Sequence, residues 1–382
     1  MTIPQRQPNS TTPDYVLIVG GCNSEYILQL PQELKIGQKN LAQSDWLIGG
    51  GGINQTLRLL KTDFSPVPVP ILPLGHDDLG LRIREHLLRE YHLARAPQIV
   101  IDYLESEQFF VPNLSTRLST IIIHGGERTI LAEQMKGGTD FYKHLQDGIE
   151  ALSPSIEPNL KALTIGDIQA DDPDNHPSYP GQCTQYLLNR FADKCLIFAN
   201  PGQAQLHLEP VFWHKNFPQL DLLQLNIREA RQLVTQTKNL AVPSLTQLID
   251  GFYEYQVNTV ITCDHYGVLG LYVQEPNQII FAPPIKLSHT VDSTGAGDAF
   301  GAGLVSSLSS SDFSLEEFKQ GIDEARVWAA YACCHVGGAA NCPTSQELKV
   351  FQEQMLKVSE EVLVLDRQSI KTVLGILERI YF

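Results

Sequence analysis

The sequence lacks any apolar run of about 18 residues, the length that a helix needs to cross a bilayer. Basic residues are also scarce, since 28 Lys and Arg stand against 43 Asp and Glu and the formal net charge is −15. This charge disfavours a nucleic acid or an anionic membrane as partner, although an anionic small molecule can still bind at a locally favourable site. Residues 1–13 are polar and lack the apolar core of a signal peptide, so we expect a disordered tail.

Cysteines show no pairing pattern. Seven occur, an odd number, and none has C-x-x-C spacing. Several fall in apolar, strand-like runs, where a buried free thiol is usual. The pattern disfavours a disulfide framework or a zinc site and indicates a reducing, cytoplasmic compartment.

Several catalytic signatures are missing as well. The sequence contains no G-x-x-x-x-G-K-[ST], no G-x-S-x-G and no H-E-x-x-H. Their absence disfavours a P-loop kinase, a serine hydrolase with a nucleophile elbow and a zinc peptidase. The glycine run at 49–52 lacks the G-x-G-x-x-G spacing of dinucleotide sites, which disfavours an oxidoreductase.

Short apolar runs alternate with segments of helical period along the chain. This alternation predicts an α/β fold in which helices cover both faces of a mostly parallel sheet, with ligands at the carboxyl ends of the strands. Two stretches, about 24–48 and 101–133, break the alternation and are predicted to be extended or hairpin-like insertions. Two helices are predicted near the end, over about 345–363 and 366–381. The predicted strands are Tyr15–Val19, Val67–Leu74, Ser119–His124, Ala162–Ile165, Cys195–Ala199, Leu220–Leu225 and Asn258–Thr262.

The segment 291–305, V-D-S-T-G-A-G-D-A-F-G-A-G-L-V, joins a turn of small residues to the start of an apolar helix. The backbone N–H groups of Gly295, Ala296 and Gly297 can converge there, and the positive end of the helix dipole favours an anion. Asp298 follows on the first turn, where it could take a proton from a hydroxyl while the amides hold the charge of a group in transfer. For G-x-G-D alone, an ordinary turn with a first-turn carboxylate is the simpler interpretation.

The whole segment resembles the second signature of the ribokinase-like, PfkB-type carbohydrate kinases. The resemblance implies a three-layer α/β/α fold with a mostly parallel central sheet and a small β lid formed by 24–48 and 101–133. It implies a kinase domain over 14–345 and leaves 346–382 as a C-terminal helical extension. It also implies transfer of the γ-phosphoryl group of ATP, with Mg²⁺, to a hydroxyl of a sugar or sugar-like polyol. Asp298 would be the base, and the amides of 295–297 would form the anion hole.

Two further motifs resemble the family's acceptor site. Asn23 and Glu25 alternate after a strand, so both point to one side, as in the family's G-x-x-N-x-D, although Glu25 stands where Asp is usual. The run G-G-G-G-I-N resembles the first signature, G-G-x-G-x-N, in which glycines and Asn contact the sugar. Without the resemblance, Asn23 and Glu25 could equally be surface polar residues. The matching positions are Gly49, Gly50, Gly52 and Asn54, and Gly51 stands where many members have Lys.

The family's motif for Mg²⁺ and phosphate positioning is N-x-x-E, which Asn226 and Glu229 match at a strand-to-helix junction. Mg²⁺ prefers oxygen ligands and keeps several waters, so this pair would act through water. For an isolated N-x-x-E, helix capping by Asn226 is the better interpretation.

The segment 260–268 resembles the family's T-x-G-x-x-G loop along the nucleotide. Thr262 and Gly267 match, but Asp264 replaces the first glycine. Asp264 could turn outward, bond a ribose hydroxyl or alter nucleotide choice.

The segment 336–344, which includes Gly338, resembles the loop that lines the adenine pocket. In potassium-activated members this loop also helps to enclose a monovalent cation. Asp292 and the Thr294 carbonyl would face such a K⁺ ion here.

Three functions follow as hypotheses. The first is a sugar kinase, with a possible homodimer formed through the lid. The second is a nucleoside kinase of the same superfamily, for which Phe109, Phe110 and Trp46 could supply an aromatic lid. The third is a non-catalytic protein that senses a sugar or a nucleotide, which the departures at Glu25, Gly51 and Asp264 motivate.

Overall fold

A computed structural model describes residues 13–62, 66–124, 127–133, 141–168, 179–310, 313–355, 359–366 and 369–381. Apart from Pro13, the N-terminal tail predicted from the sequence lies outside the described residues. The strands are β1 Tyr15–Val19, β2 Asn23–Gln29, β3 Gln43–Gly49, β4 Val67–Ile71, β5 Leu118–His124, β6 Glu127–Ala132, β7 Leu160–Ile165, β8 Leu196–Ala199, β9 Leu222–Asn226, β10 Asn258–Thr262, β11 Val268–Leu271, β12 Gln278–Ala282 and β13 Leu363–Asp366. The helices are α1 Gly51–Lys61, α2 Asp78–Leu93, α3 Gln98–Glu105, α4 Phe141–Ile156, α5 Tyr179–Phe191, α6 Gln203–Leu206, α7 Pro210–Asn216, α8 Ile227–Lys238, α9 Leu245–Tyr255, α10 Ala296–Leu308, α11 Leu315–Cys333, α12 Ser345–Met355 and α13 Lys371–Tyr381.

The central sheet has the strand order β13-β12-β11-β10-β9-β8-β7-β1-β4. The strands from β10 to β4 in this order are parallel, and β11, β12 and β13 are added antiparallel at one edge. Each strand predicted from the sequence coincides with an observed one, with ends shifted by up to three residues. The prediction of a mostly parallel sheet is therefore confirmed.

Alternation along β1 shows why the sheet is covered on both faces. Val16 and Ile18 pack with the core cluster of α10 and α11, whereas Leu17 and Val19 pack with the larger cluster under helices such as α4, α8 and α9. All five residues of the strand are buried. A strand buried on both sides must be apolar throughout, so its sequence reads as a continuous apolar run.

A second, smaller sheet has the order β3-β2-β5-β6. The predicted insertion at 24–48 is the hairpin of β2 and β3, and β5 joins β2 in parallel. The prediction for 101–133 is wrong in its first part, because residues 98–105 form α3 and the strands begin at Leu118. Val100, Ile101 and Leu104 have helical spacing and are buried in the main core. The β-like runs that follow in the sequence obscure this spacing.

The C-terminal segment 346–382 is not the purely helical extension predicted from the sequence. Its first helix ends at Met355, and Leu363–Asp366 form β13, which pairs antiparallel with β12. The open edge of β12 offers unpaired backbone groups to any nearby extended segment. Val364 packs against the core cluster on one face of the sheet and Leu365 against the cluster on the other, which is the alternation of a strand and not the helical period predicted.

Among the described residues, none of the helices combines the length and apolar character that a membrane span requires.

Close packing of α10 on α11 yields a stability prediction. A Cβ placed on Gly303 would lie 2.8 Å from Ala325 Cα and 3.1 Å from Trp328 Cγ, so the two helices leave no room for a side chain. We expect Gly303→Ala to lower the free energy of unfolding by about 1–3 kcal/mol, measured by urea denaturation. The control is Gly375→Ala in α13, where a Cβ meets nothing within 4 Å. That change should raise stability by about 0.5–1 kcal/mol, and equal effects of the two changes would contradict the packing argument.

Candidate active site

The candidate site lies where α1 and α10 begin, at the carboxyl ends of the parallel strands. The amide of Gly52 donates a 2.9 Å hydrogen bond to the carbonyl of Gly21, which fixes the start of α1 just after β1. Asn54 Nδ2 then donates a 2.6 Å bond to Asp298 Oδ2 across 244 residues of sequence. This bond joins the two glycine-containing motifs of the sequence into one site.

The Asp298 carboxylate is held in a partly desolvated position. Burial raises its pKa above the ordinary value, while the Asn54 hydrogen bond and the positive charge of Arg58 act in the opposite direction. Its second oxygen, Oδ1, faces Gly51, where a Cβ would lie 3.1 Å away. Glycine at position 51 therefore keeps one face of the carboxylate open to a ligand.

The glycine turn before α10 provides fewer amides than the sequence predicts. Gly295 caps the helix in the left-handed conformation with φ 72°. The Ala296 amide donates a 3.2 Å bond to the Ser293 carbonyl, so it is engaged within the turn itself. The amides of Gly295 and Gly297 are left as donors for an anion at this helix start.

The acceptor residues predicted on β2 are buried side by side. Asn23 and Glu25 are 7% and 8% exposed, and both lie on one face of the strand. Asn23 Nδ2 donates a 3.2 Å bond to Ser119 Oγ on β5. The Glu25 carboxylate lies against Gly49, where a Cβ would come within 1.9 Å of Oε1. Asn23 and Glu25 are thus interior polar groups and not the surface residues that the alternative interpretation required.

Asn226 and Glu229 form a capping box at the start of α8. Asn226 Oδ1 accepts bonds of 3.0 and 2.9 Å from the amides of Arg228 and Glu229, and Glu229 Oε2 accepts one of 2.9 Å from the Asn226 amide. The capping interpretation of N-x-x-E is therefore part of what this pair does. Burial raises the pKa of Glu229, and the charges of Asp167 and Asp298 raise it further. Nevertheless, no three His, Cys, Asp or Glu side chains come together as a metal site within the described ranges.

The predicted nucleotide residues lie beside this pair. Thr262, the last residue of β10, is opposite Asn226 in the parallel ladder. The chain then turns, and the Cys263 amide donates a 2.8 Å bond to the Gly267 carbonyl. Asp264, in that turn, is exposed and in the left-handed region with φ 49°.

The residues predicted to face a monovalent cation are used in hydrogen bonds. Asp292 Oδ1 accepts bonds of 2.9 and 2.6 Å from the amide and hydroxyl of Thr294. Its Oδ2 accepts a 3.0 Å bond from the Gly337 amide. The carboxylate therefore links the turn before α10 to the loop 336–344, in which Gly338 is buried against Asn54 and Gly295.

Comparison with protein families adds to this geometry. Residues 196–345 match the model of the pfkB family carbohydrate kinases. This part of the chain is similar to the PfkB-family kinases. No curated protein sequence gives a significant match.

Solved structures agree with the fold of the PfkB kinases over most of the chain. A ribokinase from Thermotoga maritima is 20% identical with a TM-score of 0.65, and the match covers 89% of this chain and 99% of that one. A nucleoside kinase from Burkholderia thailandensis, in complex with inosine, is 15% identical with a TM-score of 0.63 and coverage of 90% and 100%. A ribokinase from Cryptococcus neoformans, in complex with ADP, is 18% identical with a TM-score of 0.62 and coverage of 88% and 99%. At these identities the likeness shows the ribokinase-like fold.

Two further residues of the candidate site were not predicted from the sequence. Gln224 Nε2 donates a 2.9 Å bond to the Gly297 carbonyl and ties the glycine turn to β9. Arg58 is 1% exposed, and its Nη2 donates a 2.6 Å bond to the Gly338 carbonyl. The other two guanidinium nitrogens of Arg58, Nε and Nη1, have no hydrogen-bond partner in the described part of the chain. The available signals were a polar residue inside the apolar run L-L-Q-L and an Arg four positions after Asn54, which places both on one helix face.

The aromatic residues predicted as a base-stacking lid are mostly committed elsewhere. Phe109 and Phe110 are 0% and 4% exposed, and Phe110 stacks on His76 with ring centres 4.6 Å apart. Trp46 is half-buried on β3, and its Nε1 donates to Ser24 Oγ. The structure therefore corrects the prediction for the two phenylalanines, which belong to the core.

The raised pKa of Asp298 predicts how stability depends on pH. Below about pH 4 the carboxyl is protonated in both folded and unfolded chains, so burial carries no ionisation cost. As pH rises to 7 the buried carboxylate must ionise in the folded state, and this cost develops fully once the folded pKa is passed. We therefore expect Asp298→Asn, which keeps an oxygen for Asn54, to be more stable than the native protein at pH 7. The difference should close at pH 4 in urea denaturation.

A control with the opposite sign is Glu347→Gln. Hydrogen bonds from the backbone and hydroxyl of Thr344 lower the pKa of Glu347, so its charge stabilises the fold at pH 7 and this contribution is lost as pH falls through the folded pKa. That variant should be less stable than the native protein at pH 7. A destabilised Asp298→Asn at pH 7 would contradict the assignment of a desolvated carboxylate.

Proposed function

We propose that this protein is an ATP-dependent sugar kinase that phosphorylates a hydroxyl of a sugar or sugar-like polyol. The observation that carries the proposal is the 2.6 Å bond between Asn54 and Asp298, which joins a buried carboxylate to the glycine-rich start of α1. Asn23 and Glu25 supply buried polar groups on β2, as a polyol requires. The ADP complex of the Cryptococcus neoformans ribokinase supports ATP as the cosubstrate.

In this reaction the acceptor hydroxyl would lie against the open Oδ1 face of Asp298. The hydroxyl oxygen forms a bond to the γ-phosphorus of ATP, the bond from that phosphorus to the bridging oxygen of ADP breaks, and the hydroxyl proton passes to Asp298. Burial raises the pKa of Asp298, which makes it a better proton acceptor than an exposed carboxylate. The amides of Gly295 and Gly297 would hold the charge on the group in transfer.

Asn226 and Glu229 are proposed to position Mg²⁺ through water. The donor set fits, because both side chains offer oxygen atoms. Burial raises the pKa of Glu229, the charges of Asp167 and Asp298 raise it further, and a divalent cation would relieve that repulsion. When bound, Mg²⁺ would neutralise charge on the phosphates.

A K⁺ ion near Asp292 and the Thr294 carbonyl stays a prediction. The Asp292 carboxylate already accepts hydrogen bonds from Thr294 and Gly337. Arg58 supplies a fixed positive charge beneath Gly338 in the same region.

A nucleoside is the second candidate acceptor. The inosine complex of the Burkholderia thailandensis nucleoside kinase, whose fold is equally similar, supports keeping it. Against it, Phe109 and Phe110 are in the core, which leaves Trp46 of the three aromatic residues at the lid.

Assembly and compartment are also part of the proposal. Tyr26, Ile130 and Leu131 are exposed apolar residues on the small sheet, and we propose that this lid pairs two copies of the chain. All seven cysteines, each within the described ranges, are free thiols, which supports a cytoplasmic compartment.

The kinetic test of the proposal is Asp298→Asn. We expect a turnover at least about 100-fold lower, because the variant cannot accept the proton, while ATP affinity measured by calorimetry stays unchanged. The matched control is Asp102→Asn, which changes an exposed carboxylate on α3 and should leave turnover as in the native protein. A native turnover in Asp298→Asn would rule out Asp298 as the base.

The acceptor is tested by a screen of pentoses, hexoses, polyols and nucleosides with ADP release as the readout. We expect release with a sugar or polyol, and Glu25→Gln should raise the KM for that acceptor about tenfold or more, because a charged hydrogen bond to a hydroxyl is lost. The KM for ATP should not change. Release with nucleosides alone would favour the second candidate, and no release with any acceptor would favour a sensing protein.

A further inference from the structure

The turn between β10 and β11 carries an unusual residue for its conformation. Asp264 has φ 49°, in the left-handed region that glycine adopts without strain. Asp tolerates this region better than most residues, but its carboxylate is then placed at the edge of the proposed nucleotide site. Thr262 and Asn226, at the ends of two adjacent strands, lie next to this turn. A free carboxylate here would repel the phosphates of a nucleotide.

The end of α13 holds this carboxylate. The Tyr381 hydroxyl lies 2.9 Å from Asp264 Oδ2 and 3.1 Å from the Cys263 carbonyl oxygen, and its one proton can bridge these two acceptors. Burial raises the pKa of Tyr381, and the neighbouring Asp264 raises it further, so the hydroxyl stays a donor at neutral pH. The ring of Tyr381 also makes an edge contact with Tyr266 in the same turn, with centres 6.0 Å apart.

Tyr381 is itself fixed from the other side. Arg231 Nη1 on α8 donates a 2.7 Å bond to the Tyr381 carbonyl. Leu377, one turn earlier in α13, is 2% exposed and packs into the main core. Tyr381 also forms one wall of a groove of about 310 Å³ on α8, next to the capping box of Asn226 and Glu229. The hydroxyl is thus anchored by a helix and not by a free chain end.

We propose that Tyr381 is a positioning residue for the nucleotide, which holds the Asp264 carboxylate away from the phosphates and keeps Asp264 in its left-handed conformation. The inference rests on the proposed function, because it concerns the nucleotide side of the same site. It gives the C-terminal segment a role in ATP binding that the family signatures do not contain. It also accounts for an aspartate at a position where glycine would need no support.

The experiment combines Tyr381→Phe with Asp264→Gly. Phe keeps the ring but releases the carboxylate, so the Kd for ATP and ADP by calorimetry and the KM for ATP should rise about three- to tenfold, the size of one lost hydrogen bond. The turnover number and the acceptor KM should stay unchanged. Glycine removes both the strain and the charge, so Asp264→Gly should bind ATP as the native protein does. In that background Tyr381→Phe should have no further effect.

Tyr272→Phe is the matched control, since its hydroxyl donates a 2.8 Å bond to the Phe313 carbonyl within the second core cluster. It should leave ATP affinity unchanged, and thermal unfolding of all variants confirms that they are folded. Native ATP affinity in Tyr381→Phe would overturn the inference alone. A loss that persists in the Asp264→Gly background would also overturn it, because Tyr381 would then act through packing. If the native protein binds neither ATP nor ADP, the proposed function fails and the inference fails with it.

Discussion

The hydrogen bond between Asn54 and Asp298 is the contact on which the rest of the site depends. It crosses from α1 to α10 and joins Asn54, which is buried, to Asp298, which is half-buried. Asn54 belongs to the part of the chain outside the region that matches the family model, whereas Asp298 lies within it. The bond therefore links the proposed base in the matched region to the N-terminal part, where Asn23 and Glu25 are the proposed acceptor-binding residues. A shift between α1 and α10 would separate the proposed base from the proposed acceptor site.

Several carboxylates lie near this bond, in a protein whose formal net charge is already −15. Asp167 and Asp298 both repel the charge of Glu229, and burial makes the charges of Glu229 and Asp298 more costly. The positive charge of Arg58 offsets part of this cost, because it lowers the pKa of Asp298. A hydrogen bond to the Gly338 carbonyl holds the Arg58 guanidinium in place. A buried arginine of which two nitrogens have no hydrogen-bond partner among the described residues is itself costly to keep in a core. The arrangement leaves net negative charge at the proposed nucleotide site. This charge would repel a free nucleotide but attract a divalent cation, so we expect the metal and the nucleotide to bind together.

The sequence alone predicts the strands of the central sheet well, because burial on both faces makes each of them, as in β1, a continuous apolar run. It predicts Asp298, Asn54 and Asn226 through motifs whose spacing has a mechanical reason. It does not predict α3, where helical spacing is embedded in a β-rich stretch, or β13, whose strand character depends on the open edge of β12. Gln224 and Arg58 were also out of reach, because their roles depend on backbone carbonyls of Gly297 and Gly338 that only tertiary structure brings near them.

The path of the C-terminal segment ties these observations together. Its first helix, α12, packs with the second core cluster through Leu348, and Val362 is buried in the same cluster. β13 then extends the sheet edge, after which Ile370 and Leu377 are buried in the cluster on the opposite face. The segment thus wraps around the edge of the sheet, and this crossing is what delivers Tyr381 to Asp264. An edge strand that seems peripheral therefore sets the position of a side chain at the carboxyl ends of β9 and β10. β13 pairs with β12, and the turn 263–267 joins β10 to β11. Tyr381 and Asp264 are therefore both attached to the same sheet, which limits the distance between them.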